Sequence, residues 1–284
     1  MSYYKVKEVG DGVYRLVSAE AVFSELIVGD KKALLIDTGW GLGPLAETVK
    51  EITDKPLIVV NFHGHVDHVC GNNQFEGDIY IHPRDMELVK AHGSRIMKEY
   101  ILAQSGGDDS KLLPQGFDKE AYLKHGNITY VSVEEHQIFD LGGKTLEVIT
   151  LPGHTTGSIG LWYQEKKVLY VGDAVNGYIL LNGPEAASLE EYIETLKKAK
   201  NTGFVKMYGG HAVDAFSQDD VERFLQLAES VDWDYSEAYK DPNQPDSKPN
   251  ENVHVMCTER MTLKDAQNPK FACIIFSKDK LERN

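Results

Sequence analysis

The sequence predicts an α+β fold in which sheets pack on one another with helices outside. Three observations lead there. Short strand-like runs parted by Gly and Asp turns open the chain, a continuous apolar run follows the first helical pattern, and a second set of strands precedes two strongly amphipathic helices. The 284 residues suffice for one large domain or two small ones, and 42% apolar residues can build a core.

Each element has its own signal. YKVKEV and GVYRLVS flank GDG, and AVFSELIVGDKKALLIDTG repeats the pattern around GDKK, which predicts an antiparallel meander. GPLAETVKEITD carries apolar residues at helical spacing and stops before Lys55-Pro56. PLIVVNF is then a strand-length apolar run of the kind buried on both faces. PRDMELVKAHGSRIMKEYILAQ reads as helix and SGGDDSKLLPQGFD as loop. Strands resume with ITYVSV, HQIFD, KTLEVITLPG, SIGLWY and KVLYVGD. SLEEYIETLKKAKN is a helix with Ser188 and Glu191 as a capping box, FVKMYGG a short strand, and SQDDVERFLQLAESV a helix with a Ser cap. DPNQPDSKPNEN has linker composition, and the residues after it read as a strand pair. The expected organisation is a domain over 1–239 with a helical insertion at about 83–125, a linker at 240–252 and a tail at 253–284.

Bulk properties remove several functions. The formal charge of −14 argues against nucleic acid, which needs a basic face. No apolar run approaches the ~20 residues that span a bilayer. MSYYKVKEVGDG lacks the apolar segment of a signal peptide, and the three cysteines, Cys70, Cys257 and Cys273, form no CxxC pair. A cytoplasmic, reducing location is the expectation.

The chemistry concentrates in NFHGHVDHVCGNN, Asn61 to Asn73, where His63, His65, Asp67 and His68 fall within six positions. His63 and His65 alternate by two, so on an extended segment they point to one side. Asp67 and His68 follow in a tight turn entering a helix. Imidazole and carboxylate are the donors that zinc, iron and manganese take. Three further turns fit the same picture: LPGHTTGS with His154, LYVGDAV with Asp173 and MYGGHAVD with His211, each at the end of a strand pattern. Five histidines and two aspartates exceed the protein ligands of one metal, whereas two metals sharing a carboxylate would use them all. Cys70 reads as a small buried apolar residue, and His82, His92, His125, His136 and His254 as surface or packing histidines.

The order HxHxDH, GHTxGS, GD, GH resembles the metallo-β-lactamase-fold superfamily of metal-dependent hydrolases, over about Val6 to Val231. The resemblance implies a four-layer αββα sandwich with the metal site at the edge of its two sheets. It implies His63, His65 and His154 on one metal, Asp67, His68 and His211 on the other, and Asp173 as the bridge. Asp37 in LLIDTG matches a family motif whose carboxylate supports the ligands from behind; it reads equally as a turn-capping Asp after a buried strand. The implied cofactors are two divalent ions, zinc ahead of iron or manganese. The implied reaction is hydrolysis of an ester, thioester, lactone or phosphoester of a small molecule, with Asp67 as a ligand that can also orient the nucleophile or pass its proton on. The expected partners are that substrate and a second copy of the chain, without nucleic acid or membrane.

Departures within the pattern narrow the choice. His65 in place of Glu, and the lack of a flavodoxin-like domain, weigh against the flavodiiron reductases. Asp173 in place of Cys weighs against the commonest zinc β-lactamases. The charge, and the lack of a further histidine motif after His211, weigh against a transfer-RNA-processing ribonuclease. The glyoxalase II-like thioesterases share the full ligand set, but their basic helical C-terminal region has no counterpart in this tail. The alternative is a mononuclear iron persulfide dioxygenase, whose ligands would be His63, His154 and Asp173. Asn176, Tyr178 and Tyr208 flank ligand positions as candidate substrate contacts.

Overall fold

The computed structural model describes residues 3–105, 113–241, 247–258, 268 and 270–281. The chain divides into two compact units, Met1–Val148 with Tyr163–Glu165, and Ile149–Trp162 with Lys166–Asn284.

The first unit opens with the expected meander: β1 (Lys5–Gly10), β2 (Val13–Val17), β3 (Phe23–Val28) and β4 (Ala33–Ile36), each antiparallel to the one before. Helix α1 (Leu45–Ile52) then carries the chain to β5 (Leu57–Val60), parallel to β4. A parallel neighbour requires such a crossover, whereas the hairpins before it need only tight turns. Val59 and Val60 are buried, but Leu57 and Ile58 are half-buried because the strand follows the exposed Asp54 and Pro56, so the run is less enclosed than expected. The short helix α2 (Val66–Val69) and a 3-10 turn (Cys70–Gln74) lead to β6 (Gly77–Ile81), again parallel.

The stretch predicted as one helix is two. α3 (Met86–His92) ends at Gly93, and α4 (Arg95–Ser105) starts afresh because the Ser94 hydroxyl accepts the Met97 N–H. α5 (Lys119–Leu123), capped by Asp118, completes the helices of 83–125; 106–112 lie outside the described residues. β7 (Ile128–Ser132) closes a seven-stranded sheet in sequential order, parallel to β6. Leu16, Leu26, Leu35, Val59 and Ile79 of this sheet pack with Leu45 and Val49 of α1. β8 (Ile138–Asp140) and β9 (Thr145–Thr150) form a hairpin.

One buried cation marks the helical insertion. Lys98 of α4 is 2% exposed, donates to the Tyr122 carbonyl at 3.0 Å, and lies over the Tyr122 ring at 4.9 Å. Burial pulls its ammonium down to about 8. The unfolded chain therefore holds a proton that the folded chain has released between about pH 8 and 10.5, so stability rises with pH through that window. Below it the folded state carries the full cost of a buried charge, at most about 3 kcal/mol. Lys98→Met is expected to unfold at higher urea at pH 7 and to lose the gain between pH 8 and 10.5. A variant that keeps the wild-type slope would assign it to another group.

The second unit contains β10 (Ile159–Tyr163) up to Trp162, β11 (Val168–Gly172), β12 (Tyr178–Leu181), α6 (Leu189–Asn201), β13 (Lys206–Gly209), α7 (Gln218–Glu229), β14 (Glu237–Tyr239), β15 (Asn250–Cys257) and β16 (Cys273–Ser277). Ser188 and Glu191 form the predicted capping box of α6, and Ser217 with Asp220 forms a second on α7. Strand β13 lies parallel to β11, which lies beside β10. β12, β16, β15 and β14 make a four-stranded sheet in that order. Tyr192 and Leu196 of α6 and Phe224 of α7 are buried with Leu169 and Val171 of β11 and Ile274 and Phe276 of β16.

Residues 253–284, expected as a tail, thus supply β16 and most of β15, and β15 begins at Asn250 within the expected linker. Residues 242–246 of that linker and 259–267, 269 and 282–284 of the tail lie outside the described residues. Among the described residues, no helix is long and apolar enough to cross a membrane.

Candidate metal centre

In the first unit, parallel pairing decides which residues meet. β4 and β5 run side by side with Ile36 opposite Val60, so the loops leaving their carboxyl ends emerge together. Asp37 leaves β4, and Asn61 to His68 leave β5. Asp37 is 1% exposed and its φ is +57°, a left-handed conformation that Asp tolerates better than most residues. That bend turns its carboxylate under the histidine loop. Oδ1 accepts the Phe62 N–H at 2.9 Å, and Oδ2 lies 2.6 Å from Nδ1 of His68. The carboxylate fixes the proton on Nδ1, so Nε2 of His68 presents its lone pair, 3.5 Å from Oδ2 of Asp67.

The loop is clamped by polar contacts. The His68 carbonyl accepts from the Thr38 N–H, the Thr38 hydroxyl and Asn61 Nδ2, while Asn72 joins Asn61 and Thr38. The Gly64 N–H donates to Oδ2 of Asp85 at 2.9 Å. A Cβ on Gly64 would stand 2.8 Å from the Val89 nitrogen, so only glycine lets α3 lie this close. The rings gather accordingly: His63 sits 4.7 Å from His65 and 4.2 Å from His68, centroid to centroid. His63 and His68 are buried, and His65 is half-buried.

Two residues here lie outside the sequence expectations. Asp85 falls in the stretch expected as helix, and no local signal ties it to Gly64, 21 positions earlier. His92, expected as a surface or packing histidine, stacks its ring on His65 at 5.5 Å. Cys70 is buried as expected; its thiol donates to the His92 carbonyl at 3.3 Å, and burial pushes its pKa up to about 12.

The second unit repeats the parallel-strand device. Gly172 of β11 pairs with Gly209 of β13, so Asp173 and His211 leave adjacent strand ends. Oδ2 of Asp173 lies 3.2 Å from Nε2 of His211 and 3.9 Å from Nε2 of His154. His154 follows β9 in a turn tied by Thr155 and Ser158, whose hydroxyls are 2.9 Å apart. Its Nδ1 is 3.2 Å from the Leu180 carbonyl of β12, which can only accept, so Nδ1 carries the proton and Nε2 is turned toward Asp173. One carboxylate oxygen thus lies near the Nε2 atoms of two imidazoles. Asp173 is 8% exposed and His211 more than a third exposed.

The candidate substrate contacts have structural engagements. Asn176 donates to the Asp173 carbonyl and accepts the Tyr178 N–H, Tyr178 shares a hydroxyl contact with Tyr239 at 3.2 Å, and the Tyr208 ring stacks on Tyr170. His82, His136 and His254 are taken up by contacts to Arg84, Glu147 and Trp233.

Imidazoles with the proton directed to Nδ1, next to carboxylates, fit a divalent transition metal. The profile of the metallo-β-lactamase superfamily matches residues 18–211, which include all seven expected ligands. The human acyl-coenzyme A thioesterase MBLAC2 is 25% identical over 249 residues, 80% of this chain and 86% of its own. The hydroxyacylglutathione hydrolase GloC of Haemophilus influenzae is 27% identical over 146 residues, 51% of this chain and 62% of its own. Among solved structures, the metallo-β-lactamase family protein TTHA1429 of Thermus thermophilus superposes with a TM-score of 0.55 at 17% identity, covering 78% of this chain and 81% of its own. The fold class, the His/Asp groups and the hydrolases among its relatives agree: the chain belongs to the metallo-β-lactamase superfamily and is a metal-dependent hydrolase of that family.

Proposed function

We propose that the protein is a dinuclear thioesterase that cleaves the acyl thioester of a small molecule. His63, His65 and His154 would hold one divalent ion and Asp67, His68 and His211 the other, with Asp173 as the ligand they would share. Zinc is the proposed metal. Such a pair supplies a hydroxide at neutral pH and polarises the acyl carbonyl. Asp37 and the Leu180 carbonyl keep His68 and His154 in the tautomer that leaves Nε2 for the metal. Asp67, partly exposed beside His68, would orient the attacking water and carry its proton toward the leaving thiolate.

The observation that carries this reading is the carboxylate of Asp173 facing both His154 and His211. The bond cleaved is taken from the relatives, a thioesterase and a hydroxyacylglutathione hydrolase. The mononuclear iron oxygenase uses His63, His154 and Asp173 alone and gives His211, 3.2 Å from Asp173, no part.

The test is metal content by plasma mass spectrometry on protein purified without chelator, with a panel of acyl-CoA, acyl-glutathione, lactone and phosphoester substrates. About two divalent ions per chain and thioester cleavage that chelation removes and zinc restores are expected. One iron per chain with oxygen uptake on a persulfide would overturn the dinuclear thioesterase.

A further inference from the structure

The two cysteines of the C-terminal strands face each other. β15 and β16 run antiparallel with Val253 opposite Ser277, Val255 opposite Ile275 and Cys257 opposite Cys273. The last pair is of the type without its own backbone hydrogen bonds. The Thr258 N–H donates to the Ala272 carbonyl at 2.8 Å, one position along, while the Cys273 N–H turns away to the Gly177 carbonyl at 2.9 Å. Opposed residues of that type have Cα atoms ~4.5 Å apart and the closest side chains in a sheet. A disulfide spans Cα separations of ~4.4–6.8 Å, so this register admits one without moving a strand. Both residues are thiols here, hydrogen-bonded to each other. Cys273 is 1% exposed among Val253, Val255 and Ile275, and Cys257 is half-buried.

We propose that Cys257 and Cys273 are a reversible oxidation site, a thiol–disulfide couple whose co-reactant is a small-molecule disulfide. Cys257, the accessible thiol, gives up its proton and attacks one sulfur of that disulfide. A bond forms to Cys257 and one small thiolate leaves. Cys273 then gives up its proton, attacks the Cys257 sulfur and expels the second small thiolate. Two protein thiols are oxidised, one small disulfide is reduced to two thiols, and those thiols take up the two protons. The order follows from access, and from the hydrogen bond with Cys257 and the burial that together keep Cys273 protonated beforehand.

The couple has a structural reach. β16 also pairs with β12, Cys273 opposite Tyr178 and Ile275 opposite Leu180, and the Leu180 carbonyl holds Nδ1 of His154. Closing the bond ties β15 to the strand that braces β12. The inference does not depend on which metal or substrate the protein takes.

The full-length protein is incubated with oxidised glutathione, quenched with an alkylating agent and digested without reduction. A mass loss of about 2 Da, one linked peptide pair containing Cys257 and Cys273, and reversal by reduced dithiothreitol are expected. The Tm should rise by about 5 °C on closing a loop of this size. The Cys70→Ser variant should give the same pair, and if it does not fold, the wild-type peptide map decides alone. A reagent adduct that persists on Cys257, disulfide-linked dimers, or full alkylation of all three thiols would each overturn the proposal.

Discussion

Asp173→Ala is expected to reduce kcat/KM by roughly a thousandfold or more and to lower metal content below two ions per chain. Its carboxylate faces both His154 and His211, at 3.9 and 3.2 Å. Removing it deletes a ligand from each proposed metal and takes away a negative charge that helps draw the cations in. Asp173→Asn separates charge from shape: the amide keeps an oxygen for one metal and cannot bridge two. That variant should retain one ion per chain and a small residue of activity. Full binding of two ions by Asp173→Ala would remove the bridge from the proposal, whatever happened to the rate.

The parts of this site written in one short segment are legible from the amino acids alone. The spacing of His63, His65, Asp67 and His68 needs only a strand end followed by a turn into a helix, and β5 and α2 provide both. The capping box at Ser188 and Glu191 is local in the same way. What a sequence does not carry is contact between distant positions. Gly64 is held by Asp85, and the tautomer of His154 is set by a carbonyl on β12, a strand braced by β16 about a hundred residues after it. Cys257 and Cys273 look scattered along the chain because their relation is a register, fixed only when β15 and β16 pair. The division of 83–125 into α3, α4 and α5 is hidden because Gly93-Ser94 reads as a weak point within a helical pattern and works here as one helix end and the next helix cap.

Asp37 offers the second large effect, and three substitutions divide its duties. Asp37→Asn keeps the size and can still accept the Phe62 N–H, but it can present an amide N–H to Nδ1 of His68 and so move the ring proton to Nε2, the atom proposed to bind metal. A loss of roughly 10–100-fold in metal affinity is expected, with little change in stability. Asp37→Ala also strands the buried Phe62 N–H, at about 1–3 kcal/mol. It also leaves a Cβ at φ +57° without the local side-chain contacts that let Asp tolerate that conformation. Asp37→Gly removes the carboxylate yet accepts that backbone, so it should bind metal as poorly as Asp37→Ala while unfolding at higher urea than Asp37→Ala. Competition against a metal-binding dye reads the first quantity and urea unfolding the second. If Asp37→Asn competes as well as wild type, the carboxylate serves only to cap the turn after β4. A weakened but stable Asp37→Asn would instead show that one buried carboxylate, donating nothing to the metal itself, decides which nitrogen of His68 is offered to it.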